Sequence, residues 1–222
     1  MKPATILRIT ATCGLVGPVI LVAVLIILGA LYPGYSHISQ TMSVLGAVDA
    51  PHKAIMNTLG FPLLALSIVM FAHAVHHGVN LSAPPGGQGK VYSRFSVFYF
   101  LDRAGPALIV MSGVALAMTG IFPGDPANID VSWRGTTHSI FAAISAVSFA
   151  IAPVFIGIRQ WSDNRWKGHA LYSEITAVVT LALSWISSLD AVDAYVGLFQ
   201  RISMGIPMVW MMVTSAKIVR TK

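Results

Sequence analysis

Side chains that could do chemistry gather in a few short polar stretches of an otherwise apolar chain. The stretch LYPGYSHISQTMSVLGA, residues 31–47, holds His37 and Ser43. Asp125 lies in FPGDP, and His138 begins a later apolar run. Imidazole, hydroxyl and carboxylate groups are the ones that enzymes use as general acids, general bases and nucleophiles. The candidate catalytic residues are therefore Asp125, His138, Ser43 and His37.

Three kinds of site are compatible with these residue types. His37, Asp125 and His138 could hold a metal ion that activates water, although no HExxH-type spacing is present. Ser43 with a histidine and an aspartate could form a hydrolytic triad, although no nucleophile-elbow motif surrounds the serine. Asp125 with Asp190 could protonate a lipid in a dry pocket. The sequence leaves the three open and identifies no cofactor.

A second set of polar residues is suited to binding. Gln200 and Arg201 lie in the motif GLFQR, just after the start of the last apolar run. An arginine below the lipid headgroups needs an acidic partner, and we expect Arg201 to pair with a carboxylate from another span, above all Asp125. The candidate binding residues are Tyr35, Asn57, Asp190, Gln200 and Arg201.

The composition of the chain excludes a soluble protein. Of the 222 residues, 55% are hydrophobic and 10% are charged, and the mean hydropathy is +0.74. Soluble domains contain about 25% charged residues, so most of this chain must face hydrocarbon. The single cysteine, Cys13, permits no internal disulfide.

Six apolar stretches are each long enough to cross a bilayer as a helix. They cover roughly Cys13–Tyr32, Ala54–Val75, Ala104–Phe122, Ser139–Ile158, Ala170–Leu189 and Val196–Ala216. The fold class predicted is all-α, a six-transmembrane-helix bundle that forms one integral membrane domain over residues 1–222.

The distribution of lysine and arginine predicts the orientation of the bundle. Eleven of these cations flank the spans on one side and three, Lys53, Arg134 and Arg201, lie on the other. Because cytoplasmic loops collect basic residues, both termini are predicted to be cytoplasmic in a multi-pass protein of the inner or plasma membrane. The net charge of +6 then reflects topology, and no nucleic-acid partner is expected.

The segment Pro33–Ala47, which we call the ribbon, is predicted to lie at the outer face. Pro33-Gly34 stops the first helix, and Ile38, Met42 and Leu45 recur at helical spacing. A short amphipathic segment after helix 1 is therefore expected. We predict that it roofs a pocket lined by Asp125, His138, Gln200 and Arg201. A Ser43 or His37 side chain should then bond to a polar group of another span, directly or through one bridging water.

Several motifs, taken together, give the chain a family resemblance. They are CGLVGP at 13–18, PGYSH at 33–37, SVLGA at 43–47, Asn57, GIFPGDP at 120–126, His138 and GLFQR at 197–201. The set resembles the domain-of-unknown-function 998 family (DUF998) of prokaryotic membrane proteins. That resemblance implies a six-helix membrane fold and no established activity. The chain departs from the pattern where Arg134-Gly135 replaces an expected His-Gly pair.

The resulting hypothesis is an enzyme or binder of a lipid-like molecule, such as a lipid or isoprenoid. A small transporter is the alternative, and a membrane scaffold or sensor without chemistry is a third reading. Polar residues that continue to the midplane would favour transport, whereas a pocket closed at its bottom would favour an enzyme. Membrane lipids are the expected partners, and a homo-oligomer stays open.

Overall fold

Six long helices account for most of the protein. The computed structural model describes residues 2–79, 97–126, 131–162 and 164–221. The helices long and apolar enough to span a membrane are α1 (Pro3–Leu31), α2 (Lys53–Gly78), α3 (Val97–Ile121), α4 (Trp133–Ser162), α5 (Lys167–Ile186) and α6 (Val196–Thr221). No strand occurs in the described ranges. The prediction of an all-α, six-span membrane protein is confirmed.

The helices form a closed ring in chain order. Each helix packs on the next, and α6 returns to pack against α1. Six spans bring the chain back to the end of the bundle at which it began. We call that end the terminus end, and the opposite one, which carries residues 32–52, the ribbon end.

Small residues let neighbouring helices approach closely. A Cβ on Gly113 of α3 would lie 2.9 Å from the carbonyl oxygen of Ala65 on α2. The hydroxyls of Ser112 on α3 and Ser145 on α4 are 3.3 Å apart. Lipid gives little hydrophobic drive for helices to associate, so close packing and interhelical hydrogen bonds must hold the bundle together.

The outer surface of the ring is apolar, as a lipid-facing surface must be. Ile26 and Val178 are 60% and 66% exposed. Trp133 and Trp185 are exposed near the ribbon end, and Trp161 is exposed near the terminus end. Tryptophans at both ends are typical of the two interfaces between a membrane and water.

One turn of α2 is wider than the rest. Over Met56–Gly60 the helix is π-helical, and the N–H of Phe61 donates to the carbonyl of Met56. Pro62 follows, and a proline lacks the N–H of a regular α-helix and clashes with the carbonyl four residues earlier. Such π turns frequently occur at functional sites, and Met56 lines the cavity described below.

The ribbon consists of turns followed by a short 3-10 helix at Met42–Gly46. It begins at Gly34, whose φ of +79° lies in the left-handed region that glycine adopts without a steric penalty. Met42 and Leu45 are buried as the apolar spacing predicts, but Ile38 is 52% exposed. Ile38 differs because the segment before Met42 is folded into turns, so no helical face continues through it.

Candidate functional site

A cavity of about 280 Å³ lies inside the ring, toward the ribbon end. The ribbon and all six spanning helices contribute to its wall, and none of the described residues that line it carries a charged side chain. Its polar lining consists of eight hydroxyls, one imidazole and one amide: Ser43, Ser112, Thr119, Ser145, Thr180, Ser184, Ser187, Ser203, His138 and Gln200. The cavity is therefore mainly apolar, with uncharged hydrogen-bonding groups on part of its wall.

The two sides of the cavity differ in chemistry. Helix α2 lines it only with apolar side chains, among them Phe61, Leu64 and Ile68. Helix α5 lines it only with the hydroxyls of Thr180 and Ser184. The Thr180 hydroxyl is buried and has no hydrogen-bond partner in the described part of the chain. A buried hydroxyl ordinarily finds a partner, so Thr180 is available to a molecule in the cavity.

His138 is held in one orientation by backbone carbonyls. Its Nδ1 lies 2.8 Å from the Phe122 oxygen and 3.2 Å from the Thr119 oxygen. A carbonyl only accepts, so Nδ1 carries a proton and donates. In the neutral ring Nε2 is then an acceptor. His138 is 7% exposed and lines the cavity, so it adds a ring nitrogen to the polar part of the wall.

Aromatic rings pack where α2, α4 and α6 meet, on the terminus side of the cavity. Trp210 packs edge-on against Phe71 and Phe149, with ring centroids 5.4 and 6.4 Å away. Trp210 is fully buried, and its Nε1 donates to Ser173 Oγ at 2.8 Å. Phe149 lines the cavity, and we call the three rings Phe71, Phe149 and Trp210 the aromatic base.

The ribbon is held against α6 by the side chain of Arg201. Its Nη1 donates to the carbonyls of His37 and Gln40 of the ribbon, at 2.7 and 2.9 Å, and to that of Gly197 in its own helix. Its Nη2 donates to the Tyr35 hydroxyl. We call this set the Arg201 clamp.

Further bonds fasten the same surfaces together. The Met42 N–H donates to Gln200 Oε1 at 2.7 Å, and the Leu198 N–H donates to the Ile38 carbonyl at 2.9 Å. Gly197 lies directly against the backbone of Gln40, with no room for a side chain. The ribbon therefore lies across the mouth of the ring.

The sequence matches one protein family over most of its length. The family model described as "Protein of unknown function (DUF998)" matches residues 15–91 and 100–217. The chain belongs to the DUF998 family. No curated protein and no solved structure matches it. The motifs PGYSH and GLFQR, which carry the resemblance to DUF998, supply the two sides of the Arg201 clamp.

Asp125 of this DUF998 chain caps the start of α4. Its carboxylate accepts from the N–H and the hydroxyl of Ser132, at 2.7 and 2.6 Å. These bonds hold the pKa of Asp125 below its ordinary value. Gly135 lies against the carboxylate, where any Cβ would clash. The absence of a side chain at Gly135 therefore makes room for this cap.

The expected pairing of Arg201 with Asp125 is wrong. No described carboxylate lies within 4.0 Å of the Arg201 guanidinium, which bonds to carbonyls and a phenol instead. Carbonyl oxygens of a turn can satisfy a guanidinium as well as a carboxylate can, but they leave its charge uncompensated. The sequence shows which residues are charged, but it does not show where the carbonyl oxygens of a turn point.

The ribbon reaches the bundle through its backbone rather than through the two side chains expected to do so. Ser43 Oγ lies 3.0 Å from Thr41 Oγ1 of the ribbon itself. The His37 ring packs on Gly29 and stacks edge-on against Tyr35. Burial, and then the nearby Arg201 charge, lower the pKa of His37. In the described part of the chain, neither side chain forms a direct hydrogen bond to another span, and a bond bridged by one water stays a prediction.

The remaining candidates are dispersed. Asn57 Nδ2 donates to the Gly46 carbonyl at 2.8 Å and so fixes the end of the ribbon to α2. Asp190 is exposed on the 3-10 helix Asp190–Tyr195. Of the four candidate catalytic residues, the cavity brings together His138 and Ser43. Among the described residues no group of three potential metal ligands occurs.

The mid-helix hydroxyls of the cavity are the feature that sequence reasoning missed. Serine and threonine in a membrane helix often bond to a carbonyl three or four residues earlier in the same helix, as Thr119 does to Leu116 at 2.6 Å. Such residues look alike in the sequence whether or not they face a cavity. The signal that could have revealed them is that several spans carry a hydroxyl residue within the apolar run, as at Ser112, Ser145 and Thr180.

Proposed function

We propose that this DUF998 protein binds an uncharged, lipid-like molecule in the cavity at the ribbon end. The observation that carries the proposal is the two-sided lining, with apolar side chains from α2 facing hydroxyls from α5. A ligand with an apolar body and a hydroxyl, carbonyl or ether oxygen matches both sides. Isoprenoid alcohols and other neutral lipids have this character.

The absence of charge in the lining favours a neutral ligand. Moving an ion out of water without a partner is expensive, and the described lining residues include no charged side chain to compensate for it. Hydroxyls can both donate and accept, so they accommodate alcohols and carbonyls equally well. The volume of about 280 Å³ is near the lower end of small-molecule sites, which suits part of a lipid.

If the ligand is also a substrate, His138 is the residue that we propose as its proton acceptor. The Phe122 carbonyl fixes the tautomer, which leaves Nε2 free to accept a proton from a ligand hydroxyl. Asp125, which is bonded to Ser132, would act only by holding the start of α4 in place. Ser43, one of the eight hydroxyls of the lining, would bind and orient the ligand.

A matched pair of variants tests the binding proposal. Ala142 lines the cavity, whereas the adjacent Ala143 is exposed on the outer surface of the same helix. Ala142→Phe would fill the cavity, and Ala143→Phe would add the same ring to the lipid-facing side. Purified proteins would be compared by native mass spectrometry and by extraction of the bound molecules.

We expect the wild type and Ala143→Phe to retain a neutral lipid-like molecule that Ala142→Phe loses. Ejected molecules would be identified by their mass and fragmentation. Equal retention by both variants, or retention of water-soluble ions alone, would contradict the proposal.

A small transporter is the second candidate, and one observation favours it. Hydrogen-bonding groups continue past the aromatic base, because Trp210 bonds to Ser173, whose hydroxyl donates to Gln160 Oε1 at 2.6 Å. Opening the base would join the cavity to this buried group. Uptake of a neutral solute into proteoliposomes that accelerates in Trp210→Ala would support transport. A binder should show no uptake in either protein.

A further inference from the structure

A second cavity of about 240 Å³ lies between α1 and α6, beside the first. Its walls are apolar side chains of the two helices, and His37 and Arg201 lie among its lining residues. Val22 and Ile26, which line it, are 50% and 60% exposed on the outer surface of the bundle. This cavity therefore opens sideways, to the hydrocarbon of the bilayer.

Among the described residues, no carboxylate pairs with the cation in this cavity. All the acceptors that the structure gives to Arg201 are neutral, namely carbonyls and the Tyr35 hydroxyl. Its Nε–H bonds to no acceptor in the described ranges. His37 adds no second cation near neutral pH, because burial and the Arg201 charge lower its pKa. A guanidinium with donors to spare is well suited to phosphate oxygens.

The position of Arg201 agrees with the depth of lipid headgroups. It is the sixth residue of α6, about 8 Å along the helix from the ribbon end. The apolar groove runs from there toward the middle of the membrane, past Met204, Gly205 and Met208. A phosphate at Arg201 would thus have its acyl chain directed into the groove.

We propose that this second cavity is a binding site for one anionic phospholipid of the surrounding bilayer. Its phosphate binds the Arg201 guanidinium, and one acyl chain lies between α1 and α6. The lipid would press on the Arg201 clamp and on Met42, Met204 and Met208, which line both cavities. This site is separate from the neutral-ligand site proposed above and does not depend on it.

Gly205 allows the site to be blocked without disturbing the clamp. It lines the second cavity, and a Cβ on it would meet no atom within 4 Å. Gly205→Leu should therefore fold and fill the groove. Gly168, near the terminus end of α5, has equally open surroundings, so Gly168→Leu is the matched control.

The test uses full-length protein in nanodiscs of equal parts phosphatidylglycerol and phosphatidylcholine. Lipid that remains after transfer to detergent would be counted by native mass spectrometry. We expect the wild type and Gly168→Leu to retain phosphatidylglycerol about fivefold over phosphatidylcholine, the preference expected of one basic side chain near the surface. Gly205→Leu should lose the tightly held lipid.

Two outcomes would overturn the proposal. Retention in Gly205→Leu equal to that in Gly168→Leu would mean that lipid does not occupy the groove. Equal retention of the two phospholipids by the wild type would mean that the Arg201 charge does not select an anionic lipid. Since Ala142→Phe fills the other cavity, either proposal can fail while the other stands.

Discussion

At the scale of single residues, the Arg201 clamp shows how one side chain organises a polar segment. A single guanidinium satisfies carbonyls of His37 and Gln40 that no secondary structure pairs. Buried carbonyls left without a donor cost about 1–3 kcal/mol each. The clamp is thus a structural requirement of the ribbon as well as a source of positive charge.

Replacing Arg201 should destabilise the fold much more than replacing a solvated arginine. We expect Arg201→Ala to lose about 1–3 kcal/mol of unfolding free energy, because the ribbon carbonyls lose their donor. Arg220→Ala, which removes an exposed arginine of the same helix, should change stability little. Thermal unfolding in detergent would measure both. Equal midpoints for the two variants would show that the clamp contributes nothing.

The Asp125 cap should make stability depend on pH in the acid range. Since the Ser132 bonds lower the pKa of Asp125 below its ordinary 3.8, its contribution is fully present above pH 3.8. It is lost as the pH falls below that value toward the pKa in the folded state. Unfolding midpoints between pH 6 and 3 would show a loss in the wild type and in Asp193→Asn, the control for an exposed carboxylate. The same loss in Asp125→Asn would contradict this assignment.

The residue types in the sequence indicated which residues lie near the ribbon end. They did not indicate which groups form hydrogen bonds with each other. Asp125 and Arg201 both lie there, yet each found a nearer partner in backbone or hydroxyl groups. Charge attraction is the only pairing rule visible in a sequence. Turn geometry decides where carbonyls and N–H groups point, and it depends on three-dimensional contacts that sequence spacing does not reveal.

At the scale of elements, α6 determines where the ribbon can lie. Gly197 presents bare backbone to Gln40, so the two chains touch without an intervening side chain. The adjacent bond from the Leu198 N–H to the Ile38 carbonyl fixes the register. The sequence predicted the ribbon, because Pro33-Gly34 ends a helix, and placed it near Gln200 and Arg201. It did not show that backbone groups of the ribbon would make the contact with α6.

A methyl group at Gly197 should therefore separate the ribbon from α6. Alanine is the better helix former by about 1 kcal/mol, but the clash lies with backbone atoms of Gln40 that cannot move aside. We expect Gly197→Ala to destabilise the protein by about 1–3 kcal/mol, as overpacking does. Gly168→Ala meets open space and should be neutral or stabilising. Gains of similar size in both, measured by thermal unfolding, would show that ribbon and helix do not touch.

The six spans were the most predictable elements, because about 20 apolar residues in a row have few other uses. Most of the helices are longer than the predicted spans, most clearly α1, which begins at Pro3 rather than near Cys13, although α5 ends at Ile186 rather than Leu189. Polar residues of the interface also adopt helix, and hydropathy does not detect them. The π turn at Met56–Gly60 could not be predicted from the sequence either, since Pro62 permits a widened turn but does not require one.

At the scale of the whole molecule, the distribution of basic residues predicts which end faces the cytoplasm. Both termini lie at one end of the bundle, and most cations lie there too. In a background without Cys13, His52→Cys should react with an impermeant maleimide from outside the cell. Thr221→Cys should react only after the membrane is opened. Labelling in the reverse order would invert the assignment.

The cavity is formed by the whole bundle, so no single sequence motif predicts it. Its wall draws on every spanning helix, and small residues such as Ala142 and Ala146 leave the space that larger ones would fill. An alanine stripe ordinarily indicates close helix packing. Here Ala142 and Ala146 border a cavity instead, which only the packed helices show.

The most direct test of the central claim is a cryo-electron microscopy structure of the protein in lipid nanodiscs. The account predicts elongated non-protein density inside the ring, between the apolar wall of α2 and the hydroxyls of α5. At least one polar contact of about 2.7–3.2 Å should join that density to Thr180, Ser184 or His138. A cavity filled only by ordered water, or closed by movement of Phe149 and Trp210 into it, would contradict the account.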